Sequence, residues 1–456
     1  MLTLLGIGTV AALLLLILFR ITSVLVALTL VPLAAALIGG FAGSFGTWAM
    51  DGIRDVTPVA ALLAFAVIYF GVMNDAGLFD PIIRALVSVV GTDPVRIALG
   101  TAAVASVAHL DGAGASTFMV TVPAMLPLYD RARMSALSLT CITALAAGTM
   151  NMLPWGGPTT RAATALQVSA TQLFVPVIPA MLVGMAGVFV FAVRIGQHER
   201  RRIARSPVLL AAAAAADSAE STAARLRASR SGEAGLLGAV SRPMPQSGRS
   251  LSGLWFFNAA LTAVTLAILF TELVPLALVF MTASAIALVV NYPSSQQQRE
   301  RLTSHGEAAM LMVTTIFAAG VFTGVLTKSG MLASMTSDLV AVLPPLALRH
   351  LPIIMAVVSM PLSLVFDPDS FYFGLLPVLS HAAEASGGSG IEVARAAVLG
   401  QMTTGFPVSP LTPATFLLVG LANVDLADHQ RRTIPYAFGV TLLMGLAALA
   451  TGAVGL

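Results

Sequence analysis

The run Asn151-Met152-Leu153-Pro154-Trp155-Gly156-Gly157-Pro158-Thr159-Thr160-Arg161 lies inside an apolar segment that is long enough to cross a membrane. It cannot be one continuous helix, because Pro154 and Pro158 lack a backbone donor and Gly156-Gly157 raises the cost of helical order between them. A break at bilayer depth is stable only where the freed backbone groups face protein, water or a bound ligand. Gly157 and Pro158 fit the N-cap and first residue of a new half-helix, whose free N–H groups suit an anionic ligand. For a lone break, a proline kink without a ligand is the alternative.

Composition places this chain among membrane proteins. Hydrophobic residues make up 57% of its 456 residues and charged residues 10%, far below the charged fraction of soluble proteins. Apolar runs of about eighteen residues or more recur from end to end, which predicts an all-α polytopic membrane protein. The first of them, Leu2–Phe19, has no basic stretch before it, so we expect a retained span rather than a cleaved signal peptide.

Other classes of protein gain no support from the sequence. The net charge of +3 comes mostly from the arginines of one loop without interleaved aromatics, so nucleic-acid binding is not indicated. A single cysteine, Cys141, excludes an internal disulfide and a cysteine-built metal cluster. No nucleophile elbow, zinc-binding His-Glu-x-x-His helix or phosphate-binding loop is present, so we expect neither an enzyme nor a resident cofactor.

The hydropathy pattern predicts about eleven transmembrane helices with two re-entrant hairpins and two broken spans. The hairpins are expected at 95–128 and 351–379, and the broken spans at 135–167 and 392–421. The remaining elements are two interfacial helices, Leu78–Val90 and Met331–Leu343, and the unbroken spans Leu2–Phe19, Ser23–Phe41, Thr57–Met73, Leu173–Val193, Gly253–Phe270, Leu273–Val290, Ala308–Leu326 and Ile434–Ala453.

Residues 194–252 are rich in Ala, Ser and Arg, which predicts a solvated, flexible linker. When this linker is placed in the cytoplasm, four other arginine-bearing turns fall on the same side, as the positive-inside rule favours; they contain Arg20, Arg131, Arg133, Arg299, Arg301, Arg431 and Arg432. We therefore expect a multi-pass protein of the inner (plasma) membrane with a cytoplasmic linker.

The two halves of the chain align at a constant shift of 253 residues, which brings Pro154 onto Pro407, Thr159 onto Thr412 and Phe118 onto Phe371. The shift also pairs hairpin with hairpin and break with break, while the predicted topology sends matching spans through the membrane in opposite directions. Residues 1–193 and 253–456 therefore read as an inverted repeat. This is typical of secondary transporters, whose site lies near the midplane where broken elements meet.

Four elements can present a helix N-terminus to that site, and we expect caps at Ser116-Thr117, Asp367-Pro368 and Ser409-Pro410. Backbone amides and hydroxyl groups, with Thr412 on the last half-helix, suit the oxygens of a carboxylate.

Three acids, Asp111, Asp367 and Asp369, sit at the predicted tips, and intramembrane acids usually lie on ion or proton pathways. Some of them can instead serve only as N-caps. Asn151 supplies an amide inside the break. Arg161 is the best placed cation for a carboxylate, but it can equally pair with an acid or extend to the membrane surface.

The chain resembles a known family at Leu110-Asp111-Gly112, at the Asn151–Thr159 run, at Phe371-Tyr372-Phe373-Gly374 and at Asp425-Leu426-Ala427-Asp428-His429-Gln430. These motifs resemble those of the CitMHS family of citrate–divalent metal:proton symporters, within the ion transporter superfamily. The resemblance runs over nearly the whole chain.

The resemblance implies a homodimer in the lipid bilayer, each protomer having a scaffold and a transport domain that moves as an elevator. It also implies proton-driven uptake of citrate with a co-transported divalent cation, Mg²⁺ or Ca²⁺. The substrate site would comprise the residues Asp111, Gly112, Ser116, Thr117, Asn151, Gly156, Gly157, Pro158, Thr159, Arg161, Asp369, Ser370, Ser409 and Thr412, with Asp111, Asp367, Asp369 and Asn151 serving proton or cation coupling.

Two positions depart from the family pattern. Ala113 stands where many members have a second acid, and Met402-Thr403-Thr404 stands where many have a histidine. A related dicarboxylate or tricarboxylate without metal therefore remains an alternative substrate. A cation/proton antiporter that uses the three acids is the alternative from another functional class, although the hydroxyl-rich breaks argue against it. A channel fits poorly, because broken helices and inverted hairpins imply alternating access.

Overall fold

A computed structural model describes residues 1–19, 21–205, 253–269 and 273–455, and every regular element within them is a helix. Arg20 and most of the predicted linker lie outside the described residues. The helices of the first half are α1 (Leu2–Leu18), α2 (Val24–Ile38), α3 (Ala42–Asp75), α4 (Asp80–Val90), α5 (Pro94–Ala108), α6 (Gly114–Ala132), α7 (Ala136–Met150), α8 (Gly157–Leu166), α9 (Ala170–Phe174) and α10 (Ile178–Arg205).

The second half of the chain also contains ten α-helices among its described residues. It contains α11 (Gly253–Leu269), α12 (Leu276–Asn291), α13 (Ser295–Lys328), α14 (Met331–Val342), α15 (Pro345–Arg349), α16 (Leu351–Leu362), α17 (Leu376–Ala385), α18 (Gly390–Val398), α19 (Pro413–Leu421) and α20 (Leu426–Ala450). Short π-helical turns, Ser370–Leu375 and Gly400–Thr404, precede α17 and follow α18.

Within the described ranges, four helical runs are long and apolar enough to cross a membrane unaided, namely Ala42–Asp75, Ala170–Arg205, Ser295–Lys328 and Leu426–Ala450. The other apolar helices have 10 to 17 residues, and at about 1.5 Å per residue most of these fall short of a hydrocarbon core of roughly 30 Å. A helix that falls short can cross it when joined in series to another, as in a broken span. The chain is a helical membrane protein.

Three helices begin earlier than the spans predicted from hydropathy. Helix α3 starts at Ala42, α13 at Ser295 and α20 at Leu426, whereas the predicted spans start at residues 57, 308 and 434. The added turns carry polar side chains, which hydropathy assigns to loops. They are helical because they have tertiary partners; Arg301 of α13, for example, pairs with Asp75 of α3 at 3.0 Å.

The predicted linker is wrong at its start, because α10 continues to Arg205 and residues 194–205 are helical. Glu199 in this extension is buried. Its carboxylate accepts hydrogen bonds from the Ser138 hydroxyl at 2.6 Å and from the Arg202 guanidinium at 2.9 Å. The hydrogen bond from Ser138 holds the extension against the start of α7.

The described residues form two hydrophobic cores. The larger surrounds both hairpins and both breaks and includes the buried rings of Phe118 and Phe371. The smaller lies between α1, α2, α3, α13 and α14, with Leu28 and Phe322 at zero exposure. The breaks and hairpin tips therefore lie in packed protein, which supplies the environment that broken helices require in a membrane.

The long helices α3 and α13 cross in close backbone contact. Each has 34 residues, and both ends of α13 lie 253 residues after those of α3, at 295 against 42 and 328 against 75. Gly324 packs against the backbone of Gly52. The 253-residue shift carries Gly52 onto His305 and Gly71 onto Gly324, and Gly71 in turn packs against the His305 ring. The contact thus repeats under the same shift as the sequence.

We expect Gly52→Ala to destabilise the protein by roughly 1–3 kcal/mol, as overpacking does. A Cβ atom at position 52 would lie 2.0 Å from the carbonyl oxygen of Gly320, which is backbone and cannot rotate away. The control is Gly46→Ala on the same helix, since a Cβ there has nothing within 4 Å. Thermal unfolding of the detergent-solubilised variants measures the effect. Equal unfolding temperatures for the two variants would contradict the close crossing.

Candidate functional site

The first hairpin reverses direction at Gly112. Helix α5 ends at Ala108, one 3₁₀ turn spans His109–Asp111, and Gly112 then adopts φ of +73°. Only glycine adopts this left-handed conformation routinely. The return helix α6 begins at Gly114. The predicted helix–break–helix pattern of this hairpin is confirmed.

The predicted cap of the return helix is wrong. Its N-cap is Ala113, not Ser116-Thr117, and the Ala113 side chain makes no capping hydrogen bond. The Asp111 carboxylate instead accepts a hydrogen bond from the Ala113 N–H at 2.8 Å and another from the Ser116 hydroxyl. Asp111 is therefore an acid held at the tip by two donors of its own hairpin.

The first broken span is also confirmed, with α7 ending at Met150 and α8 starting at Gly157. The predicted cap is wrong by one residue, because Gly156 is the N-cap and Pro158 the second helical residue. The Thr160 N–H donates to the Gly156 carbonyl at 3.1 Å, which makes that carbonyl the first acceptor of the half-helix.

Trp155 ties this break to the first hairpin. Its indole N–H donates to the Leu110 carbonyl at 2.9 Å, and its ring centroid lies 5.3 Å from that of Phe70 on α3. Within the break, the Thr159 hydroxyl donates to the Met152 carbonyl at 2.6 Å. Side chains thus satisfy carbonyl oxygens at both the hairpin tip and the break.

In the second hairpin, the predicted cap is confirmed. Pro368 follows the cap as the first helical residue. The Asp367 carboxylate accepts from the N–H groups of Asp369 at 3.0 Å and Ser370 at 3.1 Å, and from the Ser370 hydroxyl. Asp367 therefore serves as an N-cap whose oxygens already have donors.

Arg161 and Asp369 form an ion pair that joins the first broken span to the second hairpin. The Arg161 Nε atom lies 2.7 Å from Asp369 Oδ1, and the two side chains are 23% and 15% exposed. A second contact, from Nη1 to the Gly157 carbonyl at 3.3 Å, orients the guanidinium along α8. Of the alternatives open for Arg161, the structure shows pairing with an acid.

The second broken span loses helical geometry earlier than the predicted Gly405. Gln401 has ψ of 122° and Met402 has φ of +57°, a costly conformation for a side chain with a Cβ atom. Met402 is held there by two hydrogen bonds: its N–H donates to the Ser363 hydroxyl at 3.3 Å, and its carbonyl accepts from Asn151 Nδ2 at 2.7 Å.

The predicted cap at Ser409-Pro410 is wrong, because the half-helix α19 starts at Pro413 with Thr412 as N-cap. The Ser409 hydroxyl instead donates to the Ser363 carbonyl of the second hairpin at 2.5 Å. The Thr412 hydroxyl is buried and has no hydrogen-bond partner within the described residues.

A chain of hydrogen bonds crosses the site from the first half of the chain to the second. His109 is buried, with Nδ1 2.7 Å from the Thr117 hydroxyl and Nε2 3.3 Å from Asn151 Oδ1. Since Asn151 Nδ2 donates to Met402, both polar atoms of the Asn151 amide are engaged by protein. Asn151 and His109 thus connect the first hairpin and both breaks.

The structure brings the four predicted elements together pairwise. The first hairpin contacts both breaks, since Phe406 of the second break stacks on Phe118 at 6.0 Å between ring centroids. The breaks meet each other at Asn151, and each break touches the second hairpin through Arg161 and Ser409. At the two hairpin tips and the two breaks (residues 109–117, 151–161, 367–370 and 401–412), the formally charged side chains are three carboxylates and one guanidinium.

Sequence reasoning missed Gln401, which braces the second break from inside. Its side-chain oxygen accepts from the Ser363 hydroxyl at 2.5 Å, and its backbone carbonyl accepts from the Tyr372 hydroxyl at 2.8 Å. The available signal was the presence of Gln401 and Ser363 inside apolar runs, where polar side chains need partners. Among the described residues, no group of three or more His, Cys, Asp or Glu side chains is arranged to hold a metal ion.

The chain has similarity to characterised transporter sequences over its whole length. Residues 5–400 match the CitMHS family model, described as citrate transporter. The chain is 41% identical over 452 residues to a "Citrate transporter" of Bacillus subtilis (strain 168), covering 99% of both proteins. It is 36% identical over 461 residues to a "Mg(2+)/citrate complex secondary transporter" of the same organism, covering 100% of both.

The fold is similar to that of the YdaH transporter of Alcanivorax borkumensis, seen in a crystal structure. The TM-score is 0.62, with 15% sequence identity, 99% of this chain covered and 98% of that one. At this identity the likeness concerns the fold alone. The family match over residues 5–400 and the full-length relatives lead to one conclusion: this chain belongs to the CitMHS citrate transporter family and is a transporter, not an enzyme.

Proposed function

We propose that this protein carries citrate across the membrane as a complex with a divalent cation, in symport with protons and by alternating access. The substrate assignment is supported by two full-length relatives, one named for citrate and the other for the Mg²⁺–citrate complex. The single structural observation that carries the proposal is the Arg161–Asp369 ion pair.

The guanidinium of Arg161 lies beside the carboxylate of Asp369. A carboxylate group of the substrate has the same geometry and can bind to the same guanidinium N–H groups. We propose that citrate takes the place of Asp369 on Arg161 when it binds. Asp369 is then released from the guanidinium and is free to face the cation of the complex or to take up a proton. This exchange leaves no charge unpaired at either stage, which matters at low dielectric.

The balance of charge supports a metal complex over free citrate. Fully ionised citrate with one divalent cation carries about one net negative charge. Arg161 and the N-terminus of α8, with its dipole equivalent to roughly half a charge, can balance such a ligand. Free citrate would bring three negative charges to a site that already contains Asp111, Asp367 and Asp369.

Proton coupling is assigned to the three acids at the hairpin tips. Asp369 is paired with Arg161, and Asp367 is engaged as the N-cap of its own helix. Asp111 is therefore the leading candidate, because it is held by two hydrogen-bond donors and has no ion-pair partner among the described residues. Protonation of such an acid removes a charge from the site before the transporter reorients, which is how intramembrane acids couple ion movement to transport.

The larger arrangement follows the family resemblance. Residues 1–193 and 253–456 form two inverted repeats, the linker lies in the cytoplasm, and a homodimer in the plasma membrane provides the scaffold against which the transport domain moves. The matching lengths and offset of α3 and α13 support the division into repeats.

Uptake of radiolabelled citrate into proteoliposomes tests the proposal. We expect uptake to need both Mg²⁺ or Ca²⁺ and an imposed pH gradient, and to stop when EDTA removes the cation. Uptake that is undiminished by EDTA would instead indicate a metal-independent carboxylate transporter. No citrate uptake, together with cation-driven proton release, would indicate a cation/proton antiporter.

A further inference from the structure

The Asp425–Gln430 motif resembles the family but lies outside all four elements of the proposed site. Asp425 caps α20, its carboxylate accepting from the N–H groups of Ala427 at 2.8 Å and Asp428 at 3.3 Å. This cap fixes where the first turn of α20 begins. The last two residues of the motif, His429 and Gln430, are thereby fixed in position against the second break.

The second break leaves backbone carbonyl groups without helical partners. In the described part of the chain, no backbone N–H donates to the carbonyl of Pro407 or of Val408. An unpaired carbonyl group at membrane depth is costly, so such groups need donors from elsewhere in the protein.

His429 and Gln430 supply these donors. His429 Nε2 lies 2.9 Å from the Pro407 oxygen, and Gln430 Nε2 donates to the Val408 oxygen at 2.9 Å. A carbonyl only accepts, so His429 carries its proton on Nε2. Two adjacent residues of α20 thus donate hydrogen bonds to two consecutive carbonyl groups of the break.

His429 also connects the two broken spans. It is fully buried, and its Nδ1 atom lies 3.0 Å from the hydroxyl of Thr140 on α7, the helix that leads into the first break. Further along α20, the Thr441 hydroxyl lies 2.5 Å from that of Thr404. Helix α20 therefore contacts the second break at Thr404, Pro407 and Val408 and contacts the first broken span through Thr140.

We infer that His429 and Gln430 are positioning residues that set the backbone geometry of the second break and hence the position of Thr412, whose buried hydroxyl has no partner among the described residues and is available to substrate. The inference rests on the proposed function in so far as substrate binds there. Neither residue needs to touch substrate. Loss of either donor lets the break relax, so substrate binding weakens while the membrane fold persists.

Two substitutions at His429 separate this role from simple packing. His429→Gln places an amide N–H close to the position of Nε2 and keeps the hydrogen bond to Pro407. His429→Asn is equally polar, but its side chain is shorter. It can keep the hydrogen bond to the Thr140 hydroxyl and loses the one to the Pro407 carbonyl. We expect KM for uptake to rise roughly tenfold for His429→Asn, the effect of about one lost hydrogen bond to a group left unpaired. His429→Gln should stay within about threefold of wild type, with kcat changed little in either variant.

Gln430→Glu is the second test, because Gln430 is only half-buried and a carboxylate of the same size removes the donor. We expect the same rise in KM, and this variant keeps the inference testable if His429→Asn does not fold.

Hydrogen–deuterium exchange of the peptide covering 401–412 gives a readout that needs no substrate. We expect faster exchange there in His429→Asn and Gln430→Glu than in wild type and His429→Gln, at similar unfolding temperatures. Equal KM and equal exchange in wild type and both donor-less variants would overturn the inference. If wild type takes up no citrate, the proposed function fails, but the exchange result still decides whether these residues hold the break.

Discussion

Replacement of Arg161 by alanine is expected to reduce citrate uptake by roughly 100-fold, the effect of truncating one partner of a largely buried, hydrogen-bonded charge pair. The substitution removes the guanidinium that we assign to the substrate carboxylate. It also leaves Asp369, which is 15% exposed, without its ion-pair partner. Uptake of labelled citrate into proteoliposomes measures the first effect, and thermal unfolding measures the second.

The double variant Arg161→Ala/Asp369→Asn separates the two effects. It removes the unpaired carboxylate, so the unfolding temperature should return toward that of wild type. Uptake should remain lost, because citrate still has no guanidinium to bind. Arg161→Lys keeps the charge but not the planar fork of donors, so we expect partial uptake with a raised KM. Recovery of uptake in the double variant would show that Arg161 only neutralises Asp369 and does not bind substrate.

Replacement of Asp111 by asparagine is expected to abolish proton-coupled uptake while the protein stays folded. The asparagine oxygen can still accept from the Ala113 N–H, as the carboxylate does at 2.8 Å. It cannot take up and release a proton. We therefore expect no accumulation of citrate under a pH gradient, together with an unfolding temperature close to that of wild type.

Asp130→Asn is the matched control, because Asp130 lies on the same return helix but is exposed. It should transport at the wild-type rate. If Asp111→Asn also transports at the wild-type rate with unchanged dependence on pH, Asp111 has no part in coupling, and Asp367 and Asp369 become the candidates.

The breaks and hairpins could be predicted because their cause is local. Pro154, Pro158 and Gly156-Gly157 cannot continue a helix in any tertiary setting, and Asp367-Pro368 carries its own cap, which the structure confirms. The exact caps elsewhere could not be predicted, because distant partners decide them. Ser409 has the character of a cap, yet its hydroxyl bonds to Ser363 of another element, and the helix starts four residues later.

The helix ends, and the side chains that donate hydrogen bonds to the breaks, could not be predicted for a related reason. Hydropathy detects the apolar part of α3 and α13, but the polar turns beyond it are helical only because the two helices support each other. Likewise, nothing local to His429 or Gln430 indicates that they donate to Pro407 and Val408, some twenty residues earlier in the chain. Such contacts arise from the fold and become visible only in it.

The most direct test of the account is a double measurement on one set of proteoliposomes under an imposed pH gradient, with radiolabelled citrate outside and a Mg²⁺ indicator inside. We predict that citrate and Mg²⁺ enter in equal amounts, that neither enters without the other, and that both fluxes stop in Arg161→Ala. Citrate entry without Mg²⁺, or unchanged entry of both in Arg161→Ala, would contradict a metal–citrate symporter with its site at the Arg161–Asp369 pair.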